Sequence, residues 1–210
     1  MLAAGGRHNP WLQEASDRII RSDEQVVSDI DMIGPFGYSA GVSRTLFCGS
    51  GRPSDEQRTL YYCAYKEIQH NLELMTPGIT FRKVMEKGHM HPEQFQDQQY
   101  AGLAHGIGMS DEWPCIYYPQ VQALAYDGAL EPGLAICAES YVGAAGGCEG
   151  VKLEEQVLIT EDGYELQSKL PFESNLLGRK VRPKNALRLL FHHSRNWRGD
   201  RVFGEIGDAF

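Results

Sequence analysis

The 210-residue sequence has no run of about 18 consecutive apolar residues and no positively charged stretch leading into an apolar one. Neither a membrane span nor a secretory signal is expected, and the protein reads as soluble and cytoplasmic. Cysteine is scarce: Cys48, Cys63, Cys115, Cys137 and Cys148 are scattered, odd in number and form no CxxC pair. That argues against a disulfide framework and against an all-thiolate zinc site. Each cysteine is expected to be a reduced core or surface residue rather than a ligand. Basic residues are also in deficit, with 20 Lys and Arg against 28 Asp and Glu, net −8. Residues 174–210 hold eight of the basic residues against three acids (net +5), which leaves 12 against 25 (net −13) before them. So acidic a body argues against nucleic acid as a partner, because phosphate binding needs a basic face.

What is present is enough chain for one domain with a sizeable core and a set of acids in strand-like surroundings. Val26 to Ile33 is β-prone and runs into the turn-forming GPFGYSAG, after which Val42 to Cys48 reads as a returning strand. Residues two apart on a strand share a face, so Asp29 and Asp31 on this hairpin point the same way. Two carboxylates so close are costly without a cation between them or a shared proton. Leu134 to Tyr141 and Val151 to Thr160 read as further strands, and Glu161-Asp162-Gly163 turns the chain into Tyr164 to Gln167. Glu139, among Ala135, Ile136 and Ala138, and Glu154, before Val157 and Ile159, each place an acid in an apolar strand, where an unpaired carboxylate is expensive.

Between these strands the pattern turns helical. Ser54 with Gln57 makes a capping box, Leu60, Ala64, Ile68, Leu72 and Met75 recur at helical spacing, and Pro77-Gly78 ends the run. That helix is expected to serve the core. Thr80 is positioned to cap a second helix to Lys87, and His91-Pro92-Glu93 to start a third reaching about Gln99. His105 sits in AHGIG, whose small residues let backbone and substrate come close. Carboxylates with one imidazole suit a hard or borderline divalent ion. His89 and His91 in GHMHP have a metal-compatible spacing but no supporting motif, and His192 and His193 have less.

The phrases DMIGPFGY, GVSRT, HGIGMSDEWP, EPGLAICAESYVG and GVKLEEQVLITEDGYE, in this order, resemble the pita-bread metallopeptidase superfamily of methionine aminopeptidase, aminopeptidase P, prolidase and creatinase. The resemblance covers roughly residues 1 to 173, and the Asp-x-Asp at 29 and 31 is most similar to dimethylsulfoniopropionate (DMSP) lyases of the DddP type. It implies an α+β pita-bread fold, mostly antiparallel sheet with covering helices. It also implies one divalent metal ion, iron before manganese, cobalt or zinc, held by Asp31, His105, Glu139 and Glu154 with Asp29 in support. The implied reaction is β-elimination of DMSP to dimethyl sulfide and acrylate, with Asp111 as base and Tyr100 as an orienting group. A homodimer is the implied assembly. The runner-up is an Xaa-Pro aminopeptidase or dipeptidase acting on short proline-containing peptides, with Glu139 as proton shuttle. A third reading is a catalytically impaired remnant that binds a carboxylate ligand or a second copy of itself.

Three departures qualify the resemblance. Gly41 stands where the family, the DddP-type lyases included, has a second hairpin aspartate, one that in the peptidases helps bridge two metals; its loss disfavours a dinuclear site and leaves a mononuclear one short of a ligand. The family's earlier strands and helices have no counterpart before Met1, so the chain reads as an N-terminally truncated, partial catalytic domain over residues 1–173. Residues 174–210 read as an unrelated basic extension, with Ala186 to Phe191 apolar enough for a short amphipathic helix.

Overall fold

A computed structural model describes residues 1–11 and 13–178. The chain begins with β1 (Leu2–Ala4), which pairs antiparallel with β2 (Gln25–Ile33), and β2 pairs in turn with β3 (Ser39–Phe47). The turn at Pro35–Gly37 places Phe36 at φ 64° and Gly37 at φ 82°, and so reverses the chain tightly. Its register sets Asp29 opposite Ser43 and Asp31 opposite Gly41. The hairpin is as its sequence indicated, with the returning strand starting three residues earlier than Val42.

A second, five-stranded antiparallel sheet runs in the order β5-β4-β6-β7-β8. Its members are β4 (Gly102–Gly106), β5 (Cys115–Tyr117), β6 (Ala135–Gly143), β7 (Gly150–Thr160) and β8 (Gly163–Leu166). One face is covered by α1 (Asp55–Leu74), whose Leu60, Ala64, Ile68 and Leu72 are buried against it with Met75. Ser54 and Gln57 form the full reciprocal capping box, worth about 1 kcal/mol to the helix start. Thr80 caps α2 (Phe81–Lys87), and α3 (Glu93–Gln96) stops three residues short of the expected Gln99. There the Gln96 amide donates to the His91 carbonyl at 2.8 Å, folding the segment back on itself. A last turn, α4 (Ser174–Leu177), lies just past the acidic body. The expected helix at Ala186 to Phe191 lies outside the described residues. Among the described residues no helix is long and apolar enough to cross a membrane.

The two sheets meet where β3 runs along β7. Thr45 Oγ donates to the Lys152 carbonyl at 2.9 Å and accepts from the Lys152 amide at 3.1 Å. The Gly41 amide donates to Gln156 Oε1 at 3.1 Å. Arg44, 1% exposed, pairs with Glu155 and donates to the carbonyls of Ser43, Glu154 and Leu170. Burial pushes the Glu155 carboxyl up, and Arg44 restrains the rise to about 7. These contacts fix the acids of β2 against those of β6 and β7, on the side of the sheet away from α1.

Candidate metal centre

Strand geometry dictates which side chains meet. Directly opposed residues in an antiparallel pair share a face. Glu139 on β6 lies opposite Glu154 on β7. One row along, His105 on β4 lies opposite Cys137 on β6, and Cys137 opposite Gln156. Lys152 is two residues from Glu154 and so shares its face. The sequence-predicted His105, Glu139 and Glu154 therefore converge, and the β2–β3 hairpin brings Asp29 and Asp31 up to them.

The distances suit an ion. His105 Nε2 is 3.4 Å from Glu154 Oε1 and 3.6 Å from Glu139 Oε1. Ligands about 2.0–2.1 Å from a tetrahedral ion lie about 3.4 Å from one another. Glu139 Oε2 and Glu154 Oε1 are buried without a well-formed hydrogen bond, a costly state that a cation relieves. Ser43 Oγ lies within hydrogen-bonding reach of Asp29 Oδ1 and, at 2.9 Å, of Glu154 Oε2, and its one proton serves one of them at a time. Of these residues, His105 and Glu154, with Cys137, bring donor atoms within 4.8 Å of one another, a chemistry and spacing compatible with a divalent ion.

The electrostatics of the ion-free pocket follow from burial and charge. Burial opposes ionisation of Glu139, yet Lys152 and His105 hold its carboxyl down at about 2. Burial likewise opposes protonation of His105, but Glu139 and Glu154 raise it to about 11, so the ring is an imidazolium. Partial burial, then Glu154 and Asp29, raise Asp31 to about 6. Asp29 is raised by burial as well, with Lys152 opposing.

The two residues expected to act on substrate lie at the rim. Asp111 Oδ1 is 4.0 Å from His105 Nδ1, and its side chain is 46% exposed. Tyr100 donates to Glu112 Oε1 at 3.3 Å, its ring lies 4.9 Å from Lys152 Nζ, and burial raises its phenol further out of reach of ionisation. His89 and His91 lie elsewhere: His91 Nε2 meets Glu67 Oε2 at 2.6 Å, and the His89 ring packs between His70 and His91.

Lys152, which the sequence reading did not single out, and Cys137, which it read as a reduced core or surface residue, stand in the pocket. Lys152, 1% exposed, pairs with Glu139 and sits between the rings of Tyr100 and Trp11. Cys137, fully buried, belongs to the only group of three described ligand-type residues whose donor atoms crowd together, with His105 and Glu154. The signal that could have found both was the two-residue periodicity used for Asp29 and Asp31, since Cys137 precedes Glu139 by two and Lys152 precedes Glu154 by two.

The chain is similar to known proteins in both sequence and fold. The pattern of metallopeptidase family M24 matches residues 1–161. A DMSP lyase DddP from Roseovarius nubinhibens is 43% identical over 180 residues, covering 85% of this chain and 40% of the lyase. The DMSP lyase DddP of Roseobacter denitrificans is 38% identical over 179 residues, with 85% and 40% covered. The chain thus spans about two fifths of the length of these relatives. Among solved structures, the prolidase from Pyrococcus horikoshii OT3 superposes with a TM-score of 0.69 at 25% identity, over 82% of this chain and 48% of the prolidase.

Proposed function

The chain belongs to metallopeptidase family M24, and from that membership we propose that it is a metal-dependent lyase cleaving DMSP to dimethyl sulfide and acrylate. One observation carries this reading beyond the family: Asp29 and Asp31 both face the pocket while the position opposite Asp31 is Gly41. The hairpin thus offers the Asp-x-Asp that resembles the lyases, while Gly41 departs from lyases and peptidases alike and leaves no carboxylate there to bridge a second ion. His105, Glu139 and Glu154 would hold one divalent ion, iron on this reading, with Asp31 and Asp29 in support. When bound, the ion supplies a Lewis-acidic charge that attracts the substrate carboxylate and stabilises the enolate-like charge developing there.

The residues supply the rest. Asp111, exposed at the rim, accepts the proton from the carbon next to the substrate carboxylate. The C–H electron pair becomes the new double bond, and the C–S pair leaves with dimethyl sulfide. Tyr100 keeps its proton and closes the side of the pocket beside Lys152. All five cysteines are unpaired, which supports a cytoplasmic setting. The exposed Ile30, Met32, Ile33 and Phe36 of the hairpin support a homodimer, since uncovered apolar surface favours association.

The fold likeness to a prolidase favours a second reading, cleavage before proline in short peptides, against which Gly41 counts. Headspace gas chromatography of DMSP incubated with the metal-loaded protein separates the two. Dimethyl sulfide release that falls at least about 100-fold in Asp111→Asn is the expected result. Release of the residue preceding proline, with no dimethyl sulfide, would replace the lyase reading by the peptidase one.

A further inference from the structure

Cys137 is buried completely but packs in no part of the apolar cluster beneath α1. It faces the opposite way, in the row that runs from His105 through Cys137 to Gln156. Its sulfur, a His105 ring nitrogen and a Glu154 carboxylate oxygen all lie within 4.8 Å of one another, each on a buried side chain. In the adjoining row, Glu139 Oε2 and Glu154 Oε1 lack well-formed hydrogen bonds. On the other side of the pocket a carboxylate is missing: a Cβ built on Gly41 comes 2.8 Å from both Asp31 Oδ1 and Glu154 Oε1. A side chain there would point among the ligands, and Gly41 has none.

We propose that Cys137 is a metal ligand, its thiolate restoring the negative donor that Gly41 does not supply. The centre is then one thiolate, one imidazole and carboxylates, a softer set than carboxylates and imidazole alone, and it favours zinc or cobalt(II) relative to manganese. On binding, the thiol proton and the extra proton that His105 carries in the ion-free pocket pass to solvent as the bonds to the metal form, with no change in oxidation state. The inference rests on the site holding a divalent ion and is independent of whether the lyase reaction runs.

The test uses the full chain loaded with cobalt(II), with cobalt content measured beside the absorption spectrum. A near-ultraviolet thiolate-to-cobalt charge-transfer band is expected in the unaltered protein, retained in Cys115→Ser and lost in Cys137→Ser. Cobalt affinity in Cys137→Ser should fall by at least the roughly 10–100-fold typical of losing an outer-shell partner. Cobalt bound by the unaltered protein without that band overturns the proposal even if Cys137→Ser does not fold. So does a band that survives in a folded Cys137→Ser. Failure of the unaltered protein to bind cobalt at all overturns both the thiolate ligand and the metal site.

Discussion

Replacing Lys152 with methionine should destabilise the metal-free protein more than any other single change in the pocket. The Lys152 and Glu139 side chains are 2% and 6% exposed and paired to each other, and Asp29 and Glu154 add to the field around the ammonium. Removing one partner of a buried pair leaves the other charge uncompensated, at a cost of about 3–5 kcal/mol. His105, 3.6 Å from Glu139 Oε1, remains as a second cation and keeps the expected loss near 3 kcal/mol. For a chain of this size each kcal/mol moves Tm by about 2–4 °C, so thermal denaturation in chelator should show a fall of about 6–12 °C. The double variant Lys152→Met with Glu139→Gln should recover most of that, because a buried pair replaced on both sides by neutral groups is close to neutral. A divalent ion should also rescue the single variant, by about 2.7 kcal/mol at 100 times its Kd. A single-variant cost below about 1 kcal/mol, or a double variant less stable than the single, would refute the idea that Lys152 neutralises the pocket.

Gly41→Asp should separate stability from metal content. Its new carboxylate enters within reach of Asp31 and Glu154 and displaces the Ile107 side chain, 3.0 Å from the built Cβ, so the metal-free variant should melt below the parent. Elemental analysis should then find more than one ion per chain, and an unchanged ion content would count against Gly41 as the cause of a mononuclear site. The pH dependence has a determined sign. Asp31 and Glu155 are raised to about 6 and about 7, so the folded state binds their protons more tightly and metal-free stability should fall as pH rises from about 4 to 7. Glu139, lowered to about 2, adds stability above its ordinary range that is lost only as pH drops towards 2. His105, raised to about 11, adds stability that is fully present below about 6.5 and lost as pH rises through 11. Melting curves in chelator should therefore peak near pH 4, and a Tm independent of pH between 5 and 8 would contradict these assignments.

The helix and the long strands were legible because each carries a local signal. α1 has a cap and a 3.6-residue stripe, and β2 and β7 are rich in branched apolar residues. β4 was not legible as a strand: GLAHG is small and glycine-rich, and its extended form comes from pairing with β5 on one side and β6 on the other, contacts distant in sequence. β1 is three residues held only by β2. At the site, Asp29 and Asp31 were found by reading a strand face. Lys152 was missed, and the place of the buried Cys137 beside His105 was not seen, because the same two-residue rule was not carried to Glu139 and Glu154. Their residue types misled as well, since a buried cysteine is usually inert packing and a lysine is usually solvated.

The seam between the sheets decides how the pocket is held together. Over residues 150–155 the outer edge of β7 has no strand beside it among the described residues, and its polar backbone is met by the side chains of Thr45 and Arg44 instead. An unpaired edge is ordinarily an aggregation template, and here it is masked without being zipped. Side chains let go one at a time, whereas a ladder parts cooperatively. The hairpin bearing Asp29 and Asp31 is therefore held to the pocket by side-chain bonds, the buried Arg44–Glu155 pair among them, and by no strand pairing, so a single substitution at Arg44 or Thr45 can loosen the metal site without touching the core beneath α1.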